Sequence, residues 1–178
     1  IHINISAEFS SCHQNACLAA RQFPNVYPVD SRNLSTGMGS LAIYAAELRD
    51  QGLSAEEIAE KSRAMAKNVR TSFVLDTLEF MHKGGRCTGV QALGANLFNL
   101  KPCIEVKDGA MEVGKKYRGN LGNVLEQYVE NRLAGKADID EDRIFITHSG
   151  VSEDILKRVI GKIRQYQNFK EILVTYTG

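Results

Sequence analysis

Three short segments of the chain carry residues whose types and spacing suit them for chemistry. The first is Ser6-Ala7-Glu8-Phe9-Ser10-Ser11-Cys12-His13, which joins a predicted strand to a predicted helix. Beyond the carboxyl end of a strand, the following helix offers free N–H groups and the positive end of its dipole to an anion. Ser10 is therefore placed to hold a carboxylate or phosphate, with Ser6 and Ser11 as further candidate ligand contacts. A plain helix cap at Ser10 or Ser11 is the competing reading. The second segment is Gly84-Gly85-Arg86. Its glycines allow a left-handed turn and a close backbone approach, and Arg86 brings a guanidinium that can grip a carboxylate through two parallel hydrogen bonds. A solvent-facing arginine beside a helix C-cap stays open as the alternative. The third is His148, at the end of a predicted strand and before Ser149-Gly150, where a ring titrating near neutrality could act as acid, base or ligand, or simply cap and pack. Neither a phosphate-binding glycine loop nor the G-x-S-x-G of a hydrolase nucleophile is present.

The elements that must position these residues read as α/β. Ile1–Ile5 predicts a strand, Ser10–Arg21 a hydroxyl-capped helix stopped by Pro24, and Val26–Asp30 a second strand. Ser31 and the Gly37-Gly39 pair read as a loop into a helix over Leu41–Arg49 that Gly52 closes. Ser54 and Glu57 form a capping box for a helix reaching Val69, and Phe73–Leu75 a third strand. Asp76 and Glu79 repeat the capping pattern before a short helix that Gly84-Gly85 must end. Leu93–Phe98 then reads as a helix stopped by Pro102, and Cys103–Val106 as one arm of a hairpin with Met111–Lys115 across Lys107-Asp108-Gly109-Ala110, Asp-Gly being a strong turn signal. Leu121–Leu133, Arg143–Thr147, Glu153–Tyr166 and Glu171–Tyr176 follow as helix, strand, helix and strand. The expectation is a parallel α/β first part over residues 1–75 and an α+β second part over 76–178, with a boundary near Leu75–Gly85.

Composition narrows the function classes. The chain has 178 residues, and its 22 Lys+Arg against 21 Asp+Glu leave a formal net charge of +1 without a long basic run, so nucleic-acid binding is not expected. No apolar stretch approaches the roughly 18 residues of a membrane span, so stable membrane insertion is not expected either, and the expected compartment is the cytoplasm. Cys12, Cys17, Cys87 and Cys103 lack the spacing of a metal site or disulfide framework and read as reduced, small apolar residues.

The motifs together resemble the DegV family. Ile5-Ser6-Ala7-Glu8-Phe9-Ser10-Ser11-Cys12-His13-Gln14-Asn15-Ala16 is similar to that family's serine segment, and Val29-Asp30-Ser31 with the glycines after it to its aspartate–serine stretch. Asp76-Thr77-Leu78-Glu79-Phe80-Met81-His82-Lys83-Gly84-Gly85-Arg86, followed by Lys101-Pro102, Asp108-Gly109 and Arg118-Gly119, resembles its most specific run. The resemblance implies a two-domain α/β protein that binds a long-chain fatty acid between its domains and presents the carboxylate to a separate fatty acid kinase. It implies no catalysis, cofactor or metal of its own. Ser10 would then bond the carboxylate, Arg86 would belong to the polar network around it, and Arg118 would face the kinase. Ser11, Cys12 and His13 stand where the family usually has Gly, Thr and Tyr, so a hydroxyl donor and some backbone freedom are lost. The family's upstream threonine segment and downstream histidine segment are not present, and the chain reads as a piece of a longer protein. An enzyme acting on a small carboxylated or phosphorylated substrate at the same strand ends, with His148 as acid or base, is the alternative expectation.

Overall fold

The computed structural model describes residues 1–85 and 100–177. Arg86 and the helix expected over Leu93–Phe98 lie outside the described residues. Two compact units emerge, one of residues 1–73, 79–85 and 104–113 and the other of residues 74–78, 100–103 and 114–177. The units interleave, because residues 104–113 come from the hairpin that the sequence assigns to the second part.

In the first unit β1 (His2–Asn4) and β2 (Pro28–Asp30) pair in parallel, with Ile3 opposite Val29. Helix α1 (Cys12–Ala20) connects them, and α2 (Ser35–Asp50) and α3 (Ala55–Ala66) follow. Leu41, Ala45 and Leu48 recur on one face of α2 at helical spacing and are buried. Val29, Leu41, Ala59 and Ala66 form one core cluster, against which Ile3 packs. The expected capping box of α3 is present. Ser54 Oγ accepts the Glu57 N–H, and the Glu57 carboxylate accepts the Ser54 N–H at 2.9 Å. Bonds from the Ser54 side chain and then its backbone hold the Glu57 carboxyl below its ordinary range.

Three expectations are corrected. Gly37 and Gly39 lie inside α2, not in a loop before it. A Cβ at Gly37 would stand 2.2 Å from Thr71 Oγ1 and 2.7 Å from Asn33 Oδ1, so the residue is glycine to let the helix approach its neighbours, whereas a Cβ at Gly39 meets nothing within 4 Å. The strand expected from Cys103 begins earlier, as β4 (Leu100–Lys107), and includes Pro102, whose carbonyl accepts the Leu75 N–H at 3.1 Å; the helix that Pro102 is expected to stop lies outside the described residues. The short helix α4 (Glu79–Gly84) begins at Glu79 itself, and Asp76 pairs with Lys101. Gly85, at φ 65°, supplies the left-handed stop the sequence predicts.

β3 (Ser72–Val74), β4 and β5 (Ala110–Arg118) form a sheet in that order and contribute residues to both units. Val106 N bonds Thr71 O and Leu75 N bonds Pro102 O, so β3 and β4 run antiparallel. Asp108 at φ 49° and Gly109 at φ 88° give the two positive angles that a tight hairpin turn demands. Within the first unit the turn is fastened to the loops beyond β1 and β2. Ser6, 1% exposed, donates its hydroxyl proton to the Gly109 carbonyl at 2.7 Å, and Arg32 meets Asp108 at 3.1 Å.

The second unit builds its core from α5 (Leu121–Leu133), β6 (Arg143–His148), α6 (Glu153–Tyr166) and β7 (Glu171–Tyr176). β6 and β7 are parallel, in register from Arg143 opposite Glu171 to His148 opposite Tyr176. Val129 and Leu133 of α5 pack with Val159 and Ile163 of α6, and Ile144, Ile146 and Ile172 of the strands join them. Asn120 and Ser152 cap the two helices through their side chains.

Two predictions follow from these contacts. Gly39→Ala should stabilise by roughly 0.5–1 kcal/mol, since it removes a helix-interior glycine in open space, while Gly37→Ala should destabilise; thermal unfolding showing the reverse order would refute the packing role of Gly37. Ser6→Ala should cost about 1–3 kcal/mol by leaving the Gly109 carbonyl unpaired. Asp108→Asn, which removes only an exposed charge, should stay within about 0.5 kcal/mol of the parent in urea titrations.

Candidate functional site

Because β1 and β2 are parallel, the loops after both strands emerge at the same edge. The Ser6 N–H bonds Asn33 O at 2.9 Å and the Ser31 N–H bonds Asn4 O at 3.1 Å, carrying the pairing past the strands. Asp30 then joins the loops through one oxygen, since its Oδ1 accepts the Arg32 N–H at 2.8 Å and the Ala7 N–H at 3.3 Å. The Ser6 oxygen accepts the Glu8 N–H at 3.3 Å, which turns the chain toward α1. Backbone strain gathers between β2 and α2, where Arg32 in the loop and Ser35 at the first position of α2 hold φ of 51° and 47°.

Ser10 and Ser11 close this loop. Ser10, half-buried, accepts the Cys12 N–H at 3.2 Å and donates to Cys12 Sγ at 3.0 Å. A thiol sulfur is a weak acceptor, so a carboxylate arriving at Ser10 would gain a stronger bond than the one it displaces. Ser11 occupies the N-cap position of α1, exposed and without a side-chain capping bond, so of the two serines expected as caps it is Ser10 whose hydroxyl meets the helix start. Ser10 holds the first helical N–H in its place. The edge thus presents two hydroxyls beside the start of a helix, an arrangement that can receive an anion.

Ser6, Ser10 and Ser11 belong to the first unit. Arg118 ends β5 in the second unit, where it is exposed and followed by Gly119 at φ 121°, and Arg86 lies outside the described residues. His148 is the last residue of β6, not a loop residue beyond it. Its ring stands edge-on to Tyr176, with centroids 5.7 Å apart, and its Nδ1 is buried without a hydrogen-bond partner among the described residues. The sequence marks Asp30 only within a family-like stretch and Gly109 only as part of a hairpin turn, although both secure the site loops. Asp at a strand end followed by Ser is a turn signal that could have marked the first. Nothing local marks the contact of Gly109 with Ser6. Cys12, Cys17 and Cys103 are free thiols, as expected; Cys103 is buried, whereas Cys12 and Cys17 are exposed and meet polar partners.

Among the described residues no helix is long and apolar enough to cross a membrane, and no group of three or more His, Cys, Asp or Glu could hold a metal ion.

Comparison with known proteins places this architecture. A DegV domain-containing protein of Clostridium acetobutylicum is 35% identical over 122 residues, covering 67% of this chain and 44% of that protein. One of Clostridium perfringens is 28% identical and covers 100% of this chain and 63% of its own length. The chain therefore spans roughly half to two thirds of the curated relatives it matches. Among solved structures, a fatty-acid-binding DegV family protein from Thermus thermophilus is 30% identical, with a TM-score of 0.81 over 97% of this chain and 61% of that one. The Streptococcus pneumoniae fatty acid kinase B3 protein loaded with linoleic acid is 23% identical, with a TM-score of 0.80 over 98% of this chain and 63% of that one, and shares the fold. The family model described as "Uncharacterised protein, DegV family" matches residues 1–178, and the chain belongs to the DegV family.

Proposed function

We propose that this chain binds a long-chain fatty acid and presents its carboxylate to a separate fatty acid kinase, as a cytoplasmic carrier and not as an enzyme. The observation that carries the reading is the 30% identical Thermus thermophilus protein, which binds fatty acid and shares the fold over 97% of this chain. The Streptococcus pneumoniae protein from a fatty acid kinase system, with the same fold, supports the partner.

In this reading Ser10 and Ser11 bond the carboxylate at the edge of β1 and β2, and Arg86 neutralises it. Ser6 acts behind them as a positioning residue, because its proton is already given to the Gly109 carbonyl. Arg118 faces the kinase. The energetics divide accordingly. Each buried methylene contributes about 0.8 kcal/mol, so some fourteen of them supply on the order of 11 kcal/mol before ordering costs. The tail sets affinity, and the polar end fixes orientation while keeping a buried carboxylate from standing unpaired. Hydroxyls and one guanidinium meet that need without a nucleophile. The carboxylate oxygen that will attack a phosphoryl group must stay accessible, which suits an edge of loops.

Mass spectrometry of an organic-solvent extract of the full chain, purified from cells, should return a long-chain fatty acid in equimolar amount; an extract without one overturns the binding reading. Ser10→Ala should weaken fatty acid binding by about 0.5–1.5 kcal/mol and Arg86→Ala by about 1.5–3 kcal/mol, with unfolding temperatures near that of the parent. Calorimetric titration with oleate checks both, and unchanged affinity in Arg86→Ala removes that residue from the site.

A further inference from the structure

Beside the loop of serines, three side chains stand in line across β1 and α1. Asn4 Oδ1 lies 3.4 Å from His13 Nδ1, and His13 Nε2 lies 3.4 Å from Cys17 Sγ. His13 and Cys17 are four residues apart on α1 and so share one face. Asn4 is 7% exposed at the end of β1, anchored by its carbonyl to the Ser31 N–H at 3.1 Å.

The line has a direction. An amide oxygen can only accept, so the tautomer that Asn4 Oδ1 favours carries its proton on His13 Nδ1 and turns the Nε2 lone pair to the thiol. A nucleophile, a base that can take its proton, and a group that orients the base are the three parts of an activated nucleophile. Cys17 is exposed to solvent, so a reactant can reach it.

We propose that Cys17 is a nucleophilic thiol, served by His13 and oriented by Asn4, that undergoes reversible exchange with low-molecular-weight disulfides. His13 Nε2 takes the thiol proton, and the Cys17 thiolate attacks one sulfur of the disulfide. The new sulfur–sulfur bond forms as the old one breaks, and the departing thiolate recovers the proton from the imidazolium. No other oxidant or reductant enters the balance. Acyl transfer is disfavoured at this position. Cys17 lies past the first turn of α1, so its N–H is committed within the helix, and the Asn15 N–H already bonds Ser11 O. An acyl intermediate would lack the paired N–H donors that stabilise its oxygen, whereas disulfide exchange keeps its charge on sulfur. Cys12 provides an internal comparison, because it is also exposed on α1 but meets the Ser10 hydroxyl in place of an imidazole.

The test is a time course of the reduced full chain with oxidised glutathione at neutral pH, read by peptide mass spectrometry at Cys17 and Cys12. The Cys17 adduct should form in the parent, be removed by added thiol, and form slower in His13→Phe by on the order of tenfold or more, while the Cys12 rate is unchanged. His13→Gln, which keeps a polar side chain but no base, should show the same loss and decides the matter if His13→Phe does not fold. A parent without a Cys17 adduct, or equal Cys17 rates in the parent and the folded variants, overturns the proposal.

Discussion

Two parallel strands of three residues each have too few ladder bonds to define an edge by themselves, and the structure of the site follows from how that shortage is met. The backbone groups just past β1 and β2 are in protein surroundings and must find partners. They find them in each other, through Ser6 to Asn33 and Ser31 to Asn4, and in the Asp30 carboxylate, which accepts from both loops. A carboxylate that receives two N–H bonds is satisfied without a cation. The loops are thereby locked in a shape that leaves Ser10 and Ser11 at the rim.

The same logic extends to the hairpin turn. Its Gly109 carbonyl has no ladder partner and takes the buried Ser6 hydroxyl, so a turn made by local chemistry is held by a residue 103 positions away. The exposed ion pair of Arg32 with Asp108 adds little by comparison, since solvent screens it. Ser6 therefore serves the site by fixing its frame. The second unit is stabilised differently, by apolar stripes on α5 and α6 that close over β6 and β7, with each helix capped by its own side chain.

Two polar groupings lie along α1, and a separate role is proposed for each. Ser10 and Ser11, at its start, offer hydroxyls to an anion. His13, half-buried, faces Asn4 on one side and on the other Cys17, which is exposed one turn further along α1. In these proposed roles the serines need no titratable group to orient a carboxylate, and the thiol needs no part of the anion site to react.

What the amino-acid sequence determined by itself was most of what depends on contacts within a few residues, though not the start of α4. The Ser54–Glu57 capping box, the positive φ angles at Asp108-Gly109, the stop at Gly85 and the bounds of α5, α6 and β7 all match the expectation, because each rests on a side chain and backbone close together in the chain. The serine loop was legible for the same reason, as a strand end running into a helix start. Tertiary structure decided the rest. Gly37 reads locally as a loop residue, yet it lies inside a helix, where Thr71 and Asn33 leave no room for a Cβ; the strand expected from Cys103 extends back to Leu100, and its Pro102 carbonyl takes the Leu75 N–H. The role of Ser6 and the alignment of Asn4 with His13 were likewise invisible, since their partners lie on other elements. Local propensity is encoded residue by residue, but which buried polar group meets which partner depends on how distant segments pack.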